Sequence, residues 1–236
     1  MNKIKWIIFG SLAVGAVVFL LLIKNGLIPG LDSLKDTSIV NIEKIDINAI
    51  QPANDQDGNI ADNVFGNPDS KVTLIEYGDY QCPPCGSVYP LIKTVTEKYK
   101  DKIRFVFRNF PITTMHANAK AAAGTVEAAG LQGKFWEMHN KIYENQSDWE
   151  NLSATERGNF FENYAKEFNL DINKFNIDIA STSITNKINY DYELGKKAGV
   201  EGTPTFYLNG NKLAQDIFGD QTQLSTALDL EISKNQ

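Results

Sequence analysis

The chain has 236 residues, 42% of them hydrophobic and 22% charged, proportions near those of globular domains; they exclude a disordered chain, a polytopic membrane protein and a disulfide-stapled miniprotein. Three of its lysines precede residue 25, so residues 25–236 carry 20 basic against 29 acidic side chains, a net charge of about −9. That balance excludes a nucleic-acid footprint, which needs a basic face.

Trp6 to Ile23 is a run of 18 uncharged, mostly apolar residues, long enough as a helix to cross most of a bilayer's hydrocarbon core. It exits through Leu22-Ile23-Lys24-Asn25 without a small-residue cleavage site, so residues 1–24 are expected to be a retained anchor and not a cleaved signal peptide. Lys3 and Lys5 precede the run and Lys24 follows it, which places the N-terminus in the cytoplasm and the remainder outside the cell membrane, as a single-pass protein. From Asn25 to Asn63 turn formers such as Pro29-Gly30 and Asp57-Gly58 interrupt short Ile, Asn and Asp stretches. Residues 25–63 therefore read as an extracytoplasmic linker, with a short strand at Ile39-Val40-Asn41-Ile42 as an option, and 64–236 as one domain.

Val72 to Tyr77 is apolar and β-branched on both faces, as in a strand inside a sheet, and Gly78-Asp79 ends it. Val88, Leu91, Ile92, Val95 and Tyr99 then recur at helical spacing behind Pro83-Pro84, residues suited to a first helical turn, and Ile103 to Phe107 forms the next strand. Strand, helix, strand in this span predicts parallel pairing through a right-handed crossover. A mainly helical stretch follows, about 115–195: an alanine-rich helix to Gly130, another over Lys134–Tyr143, one opened by a capping box at Ser153-Ala154-Thr155-Glu156, and one from Ile184 to Ala198. Thr205–Leu208 returns to strand, Asn209-Gly210 makes a hairpin turn into Lys212–Ala214, and Thr222–Ser233 closes the chain as a helix.

The two cysteines, Cys82 and Cys85, stand three apart where a strand gives way to a helix. A structural zinc site would need four ligands, and no second such pair exists, while His116 and His139 lie too far apart for finger spacing. Inert buried thiols are the second reading. Thiol–disulfide exchange is the third and is favoured: a helix N-terminus stabilises an anion at Cys82, and Cys85, one turn inside, is shielded. Pro83 and Pro84 have no N–H to offer the sulfur, so the first downstream backbone donor is Cys85 itself, and the Cys82 pKa should be lowered but not to the extreme. Glu76 shares a strand face with Val72 and Leu74, where a buried carboxyl would have a raised pKa suited to proton transfer. His116 and His139 could be proton shuttles, but His139, in an amphipathic helix near Trp136, reads as structural, as does His116. Met115, Tyr80 and Phe206 could form an apolar rim for substrate or belong to the core.

Four segments carry a likeness: Leu74-Ile75-Glu76-Tyr77-Gly78-Asp79-Tyr80-Gln81-Cys82-Pro83-Pro84-Cys85, Phe107-Arg108-Asn109-Phe110-Pro111, Gly133-Lys134-Phe135-Trp136-Glu137-Met138-His139, and Val200-Glu201-Gly202-Thr203-Pro204-Thr205-Phe206. Through them residues 64–236 resemble the DsbA-like branch of the thioredoxin superfamily. The resemblance implies an α/β thioredoxin-like fold with a helical domain inserted between the halves of the sheet, here preceded by a transmembrane helix. It implies an enzyme exchanging disulfides with other proteins, using no metal and no cofactor beyond a redox-active Cys82–Cys85 disulfide. Glu76 matches the family's buried acid, Pro204 its cis-proline, and Thr203 the residue whose backbone meets an incoming peptide. Pro83 and Pro84 occupy the variable positions of the active-site motif, and many relatives carry a histidine or aromatic residue in place of Pro84, so redox poise does not carry over. The expectation is an oxidase for unfolded or reduced secreted and surface proteins, recycled by a quinone-linked membrane partner, with a reductase or isomerase as the alternative and a non-catalytic peptide-binding module as a distant third.

Overall fold

The computed structural model describes residues 46–235, so the expected anchor, the first part of the linker and the optional strand at 39–42 lie outside the described residues. Among the described residues no helix is long and apolar enough to cross a membrane. Five strands, β1 (Val64–Gly66), β2 (Thr73–Gly78), β3 (Arg104–Asn109), β4 (Thr205–Leu208) and β5 (Asn211–Lys212), form a sheet in the order β1-β3-β2-β4-β5. As the strand–helix–strand pattern requires, β2 and β3 are parallel across α1 (Pro83–Tyr99), and the other neighbouring pairs are antiparallel.

Side chains alternate along a strand, so the register sorts this sheet into two chemically different faces. Leu74 pairs with Phe105 and Leu208, and Glu76 with Phe107 and Phe206, which places all six on one face. There Leu74, Phe105, Phe206 and Leu208 pack with Ile92 and Val95 of α1 and with Leu224 and Leu228 of α9 (Gln221–Lys234). Tyr77 pairs with Arg108 on the other face.

Between β3 and β4 lies the helical insertion: α2 (Ala119–Gly130), α3 (Phe135–Glu144), α4 (Gln146–Trp149), α5 (Ala154–Glu167), α6 (Ile172–Ile179) and α7 (Thr182–Ala198). The capping box at Ser153 is formed as read, with its hydroxyl on the Glu156 N–H and the Glu156 carboxylate on the Ser153 N–H. Gly199 ends α7 at φ 84°, a conformation that favours glycine. The short helices α4, α6 and α8 (Gln215–Phe218) were not anticipated. Their signal is weak because each buries a single side chain, Trp149, Phe175 and Phe218 respectively.

The linker expectation is corrected over its second half. Gln51, Asp57, Ile60 and Asp62 are buried, and Asn54 caps a 3-10 turn at Asp55–Asp57. Arg108 holds this arm to the sheet, donating to Ile47 O at 2.5 Å and Ala49 O at 2.7 Å while pairing with Asp62 at 2.8 Å. Backbone carbonyls and one carboxylate that satisfy a buried guanidinium leave no hydrophobic period, which is why the arm reads as loose chain.

Candidate active site

β2 ends at Gly78, and a tight turn closed by Cys82 N–H on Asp79 O at 3.1 Å carries the chain into α1. Cys82 is the N-cap of that helix and Pro83 and Pro84 are its first two residues, positions whose N–H groups have no partner inside a helix. Cys85 is fully buried one turn in, Cys82 is 4% exposed, and both are free thiols. The loop before β4 brings Thr203-Pro204 against them: this peptide bond is cis, and the Cys82 thiol donates to Thr203 O at 3.4 Å. A groove of about 540 Å³ adjoins the pair, walled by Pro84, Val88, Leu91, Pro204 and Phe218.

The two thiols are driven apart electrically. A hydrogen bond from Cys85 holds the Cys82 thiol down at about 6 against the opposing effect of burial, and the Cys85 N–H adds to it. Burial pushes Cys85 well above the ordinary thiol range, and its donation to Cys82 pushes it the same way. Beneath them Glu76 is 4% exposed, and burial together with the charge of Cys82 raises its carboxyl to about 8. So Cys82 is the anionic nucleophile, Cys85 keeps its proton, and Glu76 is a neutral acid near physiological pH.

Residues beyond the two cysteines fix this geometry through contacts that no local pattern marks. Asp79 accepts from the Gln81 N–H through Oδ1, and through Oδ2 from the Ile112 N–H and, on the same oxygen, pairs with His116 Nδ1, each at 2.8 Å. His116 thus ties the 112–116 loop to the cysteine turn. From the insertion, Gln146 Nε2 donates to Tyr80 O at 2.7 Å and Cys82 O at 2.9 Å. A Cβ at position 86 would stand 2.2 Å from Gln146 Oε1 and would push that amide out of place. His139 is structural as expected: it is buried, pushed down to about 3 by that burial, and hydrogen-bonded through Nδ1 to the Tyr80 hydroxyl at 2.9 Å. Of the two readings of the apolar trio, Tyr80 and Phe206 take the core one at 1% and 0% exposure, and of the three only Met115 is exposed. Among the described residues no cluster of His, Cys, Asp and Glu is arranged to hold a metal ion.

A family model described as Thioredoxin matches residues 58–229. The Na(+)/H(+) antiporter NhaA 1 of Salinispora arenicola is 34% identical over 151 residues, covering 64% of this chain and 22% of that one. This chain thus spans about a fifth of the length of such relatives. A probable disulfide bond formation protein D of Bacillus anthracis is 32% identical over 178 residues, 72% of this chain and 78% of its own. Among solved structures, a thioredoxin-like oxidoreductase from Silicibacter pomeroyi superposes with a TM-score of 0.60 at 27% identity, over 73% of this chain and 92% of that one. Oxidised BdbD from Bacillus subtilis superposes with a TM-score of 0.64 at 22% identity, over 78% and 98% of the two chains.

Proposed function

The chain belongs to the thioredoxin superfamily, in its DsbA-like branch, and on that basis we propose that it is a thiol–disulfide oxidoreductase working as an oxidase of other proteins. The observation that carries this reading is the split between Cys82, held at about 6, and the buried, protonated Cys85, both above an acid that burial raises to about 8. Starting from a Cys82–Cys85 disulfide, a substrate thiolate attacks Cys82 Sγ. The bond between the cysteines breaks, its electron pair leaves on Cys85, and Cys85 takes the proton of Glu76. A second substrate thiolate then attacks the substrate sulfur of the mixed disulfide and expels the Cys82 thiolate. The substrate gains a disulfide and the pair holds two electrons, which a quinone-linked membrane partner would remove. No cofactor beyond the pair is needed.

A thiolate held at about 6 lies one unit below pH 7 and stabilises the reduced form. Relative to an unperturbed thiol this is about 1.4 kcal/mol, or roughly 30 mV toward an oxidant. The same arrangement supports a second direction, reductase or isomerase, because Pro83 and Pro84 deny the sulfur two N–H donors and keep the shift moderate. Equilibration with glutathione buffers separates the two: a potential of about −120 mV is expected for an oxidase, and about −270 mV would reverse the direction. Cys82→Ser should abolish exchange with the fold intact, and a Cys82→Ser protein that still oxidised thiols would overturn the reading.

The groove beside Pro204 suits an extended, partly apolar segment of an unfolded secreted or surface protein. The apolar run Trp6–Ile23 behind Lys3 and Lys5 supports membrane anchoring with the catalytic domain outside. Alkylation of Cys82 in intact cells by a membrane-impermeant reagent is expected, and labelling only after lysis would refute this placement.

A further inference from the structure

Among the described residues three buried side-chain atoms have no hydrogen-bond partner: Glu127 Oε2, Thr203 Oγ1 and the Tyr143 hydroxyl. Leaving such a group unpaired costs on the order of 1–3 kcal/mol, so each invites the question of which state of the molecule satisfies it. Tyr143 lies on α3, outside the motif and outside the groove, and is 4% exposed. Its ring stacks on Tyr89, one helical turn beyond Cys85, at 5.1 Å between centroids. It meets Tyr80 at 4.9 Å and the edge of Phe107 at 6.1 Å. Phe107 in turn lies beside the Glu76 carboxyl: a Cβ at Gly78 would stand 2.3 Å from Phe107 Cε2 and 3.1 Å from Glu76 Oε1. Tyr143 therefore packs into the wall shared by Cys85 and Glu76, and after burial the charges of those two groups act on it most strongly.

We propose that the Tyr143 hydroxyl is the hydrogen-bond donor to the buried anion that forms during exchange, first on Cys85 and then on Glu76. The inference rests on the exchange reaction set out above. When a thiolate attacks Cys82, the leaving electron pair makes Cys85 a thiolate, and proton transfer from Glu76 moves the negative charge to the carboxylate. At rest the hydroxyl is in hydrogen-bond geometry with neither group, and the charge that forms on them supplies the attraction that draws it in. Burial pushes Tyr143 well above the ordinary phenol range, so it keeps its proton and acts as a dipole, not as an acid. The other titratable groups packed here are Asp79 and Tyr80 on the turn, Tyr89 on α1, and His139 on α3 itself. His139 stays neutral down to about 3, and Tyr80 and Tyr89 are raised above the phenol range, so Glu76, at about 8, is the acid whose profile reports on Tyr143.

The test is reduction of the oxidised full-length protein by dithiothreitol, followed by acid quench and alkylation, across pH 6 to 9. A hydrogen bond to a charged group implies that Tyr143→Phe slows reduction about ten-fold or more. The limb set by Glu76 should shift upward, because the carboxylate has lost a donor. The melting temperature should hold or rise, since the variant deletes an unpaired buried hydroxyl. Incorporating 3,5-difluorotyrosine at position 143, a stronger donor, should move the limb the opposite way even if Tyr143→Phe folds poorly. Rates and limbs unchanged in both variants would overturn the proposal. A wild-type protein that cannot be cycled at all would instead remove the exchange reaction beneath it.

Discussion

Asp62 and Glu76 are acids buried on opposite faces of the sheet, and burial has opposite outcomes for them. On the Tyr77–Arg108 face, Asp62 accepts from Arg108 at 2.8 Å and from Lys187 at 2.9 Å, and Lys187 also reaches Asp191 at 2.8 Å. Burial alone would raise Asp62, yet the two cations outweigh it and hold the carboxylate well below its usual range. On the α1 face Glu76 is also buried but lies beside Phe107 with no ion-pair partner among the described residues, and it rises to about 8. Two cations make Asp62 a structural anion, and their absence leaves Glu76 a proton reservoir.

The comparison breaks most visibly at Arg108. Arg108→Met removes one member of a closed network that pins the arm at Ile47 and Ala49, leaving Asp62 and those carbonyls short of donors. The expected loss is about 3–5 kcal/mol in denaturant titration. The potential of the cysteine pair should be unchanged in the protein that remains folded. A loss below about 1 kcal/mol would mean that water replaces the guanidinium and that the arm is not integral.

Glu76→Gln is the converse, expected to leave the fold as stable or more so while slowing exchange by about a hundred-fold at neutral pH. The measurement is turnover of a reduced peptide substrate. Equal turnover would assign proton transfer at Cys85 to solvent.

The same contrast sets what could be read from the sequence. Glu76 was legible because a charged residue inside an apolar strand, six positions before a cysteine, is a local anomaly and part of a recurring motif. The cysteine turn, α1 and β2 to β4 were legible because period, proline and glycine are short-range signals, whereas Pro204 stood out only through the family resemblance. Asp62, Arg108 and Lys187 were not, because their pairings span 46 and 125 residues and no periodicity records them. Gln146 reaches back 66 residues to the active-site turn from a four-residue helix with no pattern of its own. Tyr143 looked like one more apolar position on a helix, and its significance lies in the partner its hydroxyl lacks, which only three-dimensional packing reveals.

The smallest and most discriminating effect is the dependence of stability on pH. An acid raised on folding favours the protonated native state, so the native protein binds a proton that the unfolded chain has lost. Stability then falls as pH climbs from about 4.5 to about 8 and levels off above. For a group this buried the slope is about 1.4 kcal/mol per pH unit. Glu127, also raised to about 8, mainly by burial, adds a similar slope, so the wild-type curve alone would not isolate Glu76. Asp62 acts in the opposite sense but only where pH falls below its ordinary range of about 4, outside this window. The decisive quantity is the difference between wild type and Glu76→Gln, measured in the oxidised protein so that neither cysteine titrates. Burial, the larger of the two causes acting on Glu76, persists in that state, so the upper end of its window should drop only by the part that Cys82 contributes. Urea midpoints of the two proteins should therefore diverge steadily between pH 5 and 7, with the variant losing less. Parallel curves would mean that the Glu76 carboxyl already reaches solvent, and the contrast between the two faces would close.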